Sequence, residues 1–252
     1  MRAHYGLLLS LLIPLPSMAG QARSEAIPSG SRQLVMVIAD SWDAPSARMQ
    51  TFERKHGQWK ALAAPTPVMI GKNGMGWGSG LHPHQLQGPQ KAEGDGKAPA
   101  GIFAIGPAFG YSPALSTGLP YLAMSADDWC VDVNESPLYN RIVSTKDVGL
   151  SAIEGSSEPM RRDIHLQGDM LYAKGFVIQH NPENTPRLGS CIFAHLWRSP
   201  VSATAGCTAM PEPVMHDLLA WLDSQKQPVF VSLPLAEYHR LRPDWRLPTW
   251  KN

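Results

Sequence analysis

The chain has little net charge, few cysteines and no long apolar run. Its 22 basic and 21 acidic side chains leave a formal charge of +1 over 252 residues, without the basic excess that neutralises nucleic-acid phosphates, so no nucleic-acid partner is expected. Its apolar runs fall short of the roughly 20 residues a membrane-spanning helix needs, and no integral span is expected. No segment repeats at solenoid or propeller intervals. The glycines and lysine of Glu93–Lys97 lack phosphate-loop spacing, and no long helix follows them. In His82-Pro83-His84 the proline blocks the helical presentation of zinc motifs, and no metal ligand is assigned.

Proline and glycine are plentiful, at 23 and 22 residues. They cut the chain into short segments and predict a mainly β fold with one or a few short helices. Strands are expected at Leu34–Ala39, Met49–Lys55, Gln58–Ala63, Val68–Gly71, Ile102–Ile105, Val177–Gln179 and Val229–Leu233, with His56-Gly57 as a tight turn. Lys72–Gly80 reads as a glycine-rich loop, either approaching a ligand or turning around a buried Trp77. One helix is expected at Pro213–Ser224, where Val214, Leu218, Trp221 and Leu222 recur at helical spacing.

The N-terminus reads as a secretory signal over 1–19: Arg2, an apolar Tyr5–Leu15, then Ser17-Met18-Ala19, with cleavage after Ala19 or Ala22. A polar tether over 20–32, one domain over 33–235 and an unassigned tail over 236–252 complete the expected organisation. Export implies an oxidising compartment, in which two of the three cysteines can pair.

Gly189–Trp197 reads as a buried strand carrying His195, and Cys207 follows twelve residues later in Thr204-Ala205-Gly206-Cys207. A thiol near its free pKa of about 8.5 needs a neighbouring imidazole to take its proton before it can act as a nucleophile. His195 can supply that base. Gly206 permits a sharp turn exposing the sulfur, and amides from Gly206 to Thr208 can converge on an oxyanion. With no acid nearby, a backbone carbonyl is left to orient the imidazole. The plainer alternative is that Cys207 is a small buried hydrophobe. Cys191 is the rival nucleophile, but a mid-strand sulfur lacks the exposure of a Gly-Cys turn. In Trp129–Arg141, Asp132, Ser136, Tyr139 and Asn140 either line a groove or cap turns. His180, at a strand end, reads as an edge or core imidazole.

His195 followed by Thr204-Ala205-Gly206-Cys207 resembles the active-site signature of the L,D-transpeptidase catalytic domain, a histidine preceding a Ser/Thr-x-Gly-Cys turn. Lys97–Phe103 resembles that family's Thr-Pro-x-Gly-x-Phe segment, with Ala98 at the threonine place. The blocks 73–81, 93–103, 132–141 and 189–210 resemble a divergent branch, and the likeness spans 33–235. It departs at Ala205, where the better-known form has histidine, and at Ala209, where an arginine is common.

The resemblance implies a β-rich mixed sandwich and a periplasmic enzyme, monomeric and without cofactor. It would transfer acyl groups from peptidoglycan stem peptides, with Cys207 as nucleophile and His195 as base and then acid. Gly206, Thr208, Thr204, Tyr139, Asn140 and Gly101 would serve the oxyanion or the substrate. The alternatives are an L,D-carboxypeptidase or other wall-peptide hydrolase, or a silent wall-binding module. Once Cys207 is reserved for catalysis, Cys130 and Cys191 become partners for a disulfide.

Overall fold

The computed structural model describes residue 1 and residues 26–250. The signal peptide expected over 1–19, its cleavage points and the first part of the tether therefore lie outside the described residues, Met1 excepted.

The chain is mainly β. Its strands begin with β1 (Gln33–Ala39), β2 (Ser46–Lys55), β3 (Gln58–Ala61), β4 (Thr66–Met69), β5 (Met75–Trp77) and the long β6 (Ala98–Gly110). Short elements follow: β7 (Tyr121–Ala123), β8 (Asp128–Cys130), β9 (Ile142–Ser144), α1 (Thr145–Val148), β10 (Glu158–Pro159) and α2 (Arg162–His165). The chain then runs through β11 (Lys174–Gln179), β12 (Phe193–Leu196), β13 (Thr208–Met210), α3 (Glu212–Trp221), β14 (Val229–Pro234) and α4 (Leu235–Trp245).

The main sheet runs β1-β14-β6-β11-β12-β13-β4-β2-β3, and β2 also pairs with β1, so the path of pairings returns on itself. β1 and β14 are buried along their whole length and largely apolar, with Gln33 and Ser232 as their buried polar residues, the pattern of strands covered on both faces. A separate three-stranded sheet, β10-β8-β9, is tied to the segment entering β12 by the Cys130–Cys191 disulfide, with Cα atoms 6.0 Å apart.

Four expectations are corrected. β6 extends to thirteen residues although Pro99, Gly101, Gly106 and Pro107 read as breakers. Pro107 falls where the β6–β11 register shifts, at an irregularity that does not need its missing N–H. The buried strand expected from Gly189 begins only at Phe193, because Cys191 takes a left-handed φ of 54° and bonds its amide to Asn140 Oδ1 at 2.9 Å. The tail is a helix: Tyr238, Leu241 and Trp245 of α4 recur at helical spacing and are buried in the main core, with Pro243 tolerated near the helix end. The tether expected over 20–32 is not free of the domain at its far end, since Ala26, Ile27 and Ser31 are buried.

The helix expected at Pro213–Ser224 forms as α3, and its buried side chains are Met215, Leu218 and Leu219, with Leu222 beyond its end. A second, smaller core lies under β12 and β13, where Phe109, Tyr172, Phe193 and Met160 surround the three cysteines.

Candidate active site

β12 and β13 are parallel neighbours, with Ala194 opposite Thr208 and His195 opposite Ala209. Cys207, one residue before β13, lies opposite Phe193, whose amide donates to the Cys207 sulfur at 3.3 Å. Cys207 and His195 thus occupy diagonal positions on one face of adjacent strands, a separation of roughly 7–8 Å between Cα atoms. Both line one cavity of about 170 Å³ with Glu158, Arg162, Tyr172 and Thr204.

The turn before Cys207 is closed by Thr204. Its hydroxyl donates to the Cys207 carbonyl at 2.6 Å and accepts from the Gly206 amide at 3.1 Å. A side chain at Gly206 would put its β-carbon 2.9 Å from the Lys97 carbonyl, so the chain passes too close there for any other residue. Because the Gly206 amide is bonded to Thr204, it leaves the set of oxyanion donors expected from this turn.

His195 is buried in β12, and its Nδ1 lies 2.7 Å from the Leu196 carbonyl. A carbonyl only accepts, so Nδ1 carries the proton and Nε2 keeps its lone pair for a thiol. The Tyr172 ring packs against the imidazole, centroids 5.2 Å apart. Burial pushes the imidazole down to about 4, against the bond to Leu196. Burial and the Glu158 carboxylate push the Cys207 thiol up to about 12, against the Phe193 amide and the charges of Lys91 and Arg162. Burial thus favours the neutral form of each group, thiol and imidazole.

Cys207 is the free cysteine among the described residues, and its thiol donates to the Cys191 carbonyl at 3.6 Å. Cys191 is no rival, since its sulfur is joined to Cys130.

Several residues expected at the substrate lie elsewhere. Gly101 sits in β6 opposite Ser232, where a β-carbon would come within 2.0 Å of the His82 ring; it makes room for that ring. The Thr208 side chain is buried in β13 outside the cavity lining. Tyr139 is buried; its hydroxyl donates to Glu93 and accepts the Gly189 amide. The Asn140 amide group donates to the carbonyls of His180 and Asn181 and accepts from Cys191 N. Tyr139 and Asn140 therefore brace the 189–191 segment that carries the thiol's hydrogen-bond acceptor. Asp132 accepts from the amide and hydroxyl of the distant Ser157, and Ser136 caps a turn at Leu138.

The imidazoles of His82 and His180 are structural. His82 Nδ1 accepts the Ile102 amide at 3.0 Å, and its ring packs on Phe103 and Trp245. His180 takes the Ser79 amide on Nδ1, and its Nε2 faces the Leu188 carbonyl at 2.8 Å. Among the described residues no cluster of His, Cys, Asp and Glu side chains is set to hold a metal ion, and no helix is long and apolar enough to cross a membrane.

Sequence reasoning did not mark Glu158, Arg162 and Tyr172, which line this cavity. Tyr172 Oη donates to Glu158 Oε2 at 2.7 Å, and the Arg162 guanidinium lies 4.9 Å over the Tyr172 ring. They come from β10, α2 and the turn before β11, and no local motif marks them. Compared with known proteins, the chain matches no family model, no curated protein and no solved structure.

Proposed function

We propose that this chain is a periplasmic peptidoglycan L,D-transpeptidase-like enzyme, passing acyl groups from stem peptides through a thioester on Cys207. The reading includes the β-rich sandwich of that family. One observation carries it: a free thiol and an imidazole with its Nδ1 tied to a carbonyl share one cavity wall on adjacent strands.

In this reading the Cys207 proton passes to His195 Nε2 as sulfur attacks the carbonyl carbon of the L,D-peptide bond. The carbon–nitrogen bond then breaks, His195 returns the proton to the leaving amine, and a thioester remains. An amine acceptor attacks the thioester, His195 takes its proton, and the sulfur leaves as the thiol. Water as acceptor makes the same machinery a hydrolase.

The test is to incubate the protein and Cys207→Ala with purified sacculi and analyse the released muropeptides by mass spectrometry. Cross-links that depend on Cys207 are the expected result, whereas Cys207-dependent trimming identifies the hydrolase. Identical profiles from the two proteins contradict enzymatic action and favour a wall-binding module.

A further inference from the structure

The cavity holding Cys207 is lined by two guanidinium groups that the acyl-transfer chemistry above does not use, Arg162 and Arg198. Arg162 is fixed from behind: Nε and Nη2 donate to Asp169 Oδ2 at 3.3 and 3.1 Å, and Nη1 donates to Glu158 Oε2 at 3.4 Å. A guanidinium has five N–H donors, so three such bonds leave two for a ligand. Arg198 donates to the same Asp169 oxygen at 2.6 Å, with its side chain 63% exposed at the rim. One carboxylate thus aligns both cations at the cavity.

The rest of the wall does little to oppose a negative guest. Ala203, Ala205 and Ala209 are small and uncharged. Glu158 is the acid in the lining; burial pushes its carboxyl up, and its Oε2 already accepts from both Tyr172 and Arg162. For Asp169, burial pushes the carboxyl up, but the Leu171 amide and the two arginines more than reverse this, so it stays charged and holds both guanidiniums.

We propose that Arg162, with Arg198 at the rim, forms a carboxylate-binding subsite in the Cys207 cavity. The protein then selects peptides bearing a free carboxylate close to the carbonyl that the thiol attacks. A planar guanidinium held from one side presents paired donors to a carboxylate, which a lysine at the same place does not. The inference rests on the reading of Cys207 as a nucleophile.

Two alkylating reagents that differ in charge test it without any peptide. The rates at which iodoacetate and iodoacetamide alkylate Cys207 are measured by intact mass in the folded protein and in the same chain in urea, with the disulfide kept. The expected iodoacetate-to-iodoacetamide ratio is about tenfold higher in the folded protein than in urea. Arg162→Gln and Arg198→Gln should each lower it, while Arg162→Lys keeps part of the preference. Arg198→Gln, at an exposed side chain, carries the test should Arg162→Gln fail to fold. A ratio equal in folded and unfolded chains, or indifferent to both glutamine substitutions while iodoacetamide still labels Cys207, overturns the subsite alone. Failure of both reagents to label folded Cys207 overturns the nucleophile reading, and the subsite with it.

Discussion

The thiol of Cys207 donates to the carbonyl of Cys191 at 3.6 Å, and the sulfur of Cys191 is covalently joined to Cys130. Cys207 is thus braced, through one residue, by the small sheet whose β10 and following α2 carry Glu158 and Arg162. Stability and reactivity should therefore depend together on that disulfide.

Replacing both paired cysteines by serine removes a crosslink between residues 61 apart. On the chain-entropy scale, such a closure stabilises the fold by about 4 kcal/mol. Urea unfolding should show a loss of that order, and iodoacetamide labelling of Cys207 in the folded variant should change in rate. A variant with unchanged midpoint and unchanged labelling would remove the disulfide from the account.

His195→Gln keeps a polar group near the Leu196 carbonyl and removes the base. Acyl transfer by a general base contributes roughly 10²–10⁴-fold, and thioester formation at Cys207 should fall by that order with circular dichroism unchanged. Wild-type rates in this variant would assign the proton transfer to another group.

Two buried imidazoles set an acid limit on stability. Burial holds His195 and His180 each at about 4, against an ordinary 6.5. Between those values the unfolded chain binds protons that the folded chain refuses, so their contribution is complete above about pH 6.5 and is lost as pH falls toward 4. Denaturant midpoints measured from pH 7 to 4 should decline through this window. The decline should become shallower in His180→Gln, whose removed side chain is the imidazole away from Cys207.

The C-terminal helix is a structural part of the domain. Trp245 is buried against Trp77 and His82, with ring centroids 6.3 and 5.3 Å away. Trp245→Ala should cost about 3–5 kcal/mol, read as a lowered melting temperature. A change within a few tenths of a kcal/mol would mean that the helix is dispensable.

β1 and β14 were legible because buried strands read as largely apolar runs, broken within the expected segments only at Ser232. α4 was hidden by Pro243, which in isolation reads as a helix breaker. Cys207 and His195 stood out because one short connection carries both. Glu158, Arg162 and Tyr172 did not, because a separate sheet and pairings distant in sequence bring them to the thiol. Tyr139 and Asn140 stood out as polar residues of a groove or turn, but no local pattern names Glu93 and the distant backbone groups to which they bond.

The most direct test of the central claim is the intact mass of the protein, acid-quenched after brief exposure to a purified tetrapeptide stem. An adduct equal to the donor less its leaving amino acid is expected, mapping to Cys207 and missing from Cys207→Ala. An adduct that persists in Cys207→Ala, or none while the stem is still consumed, contradicts it.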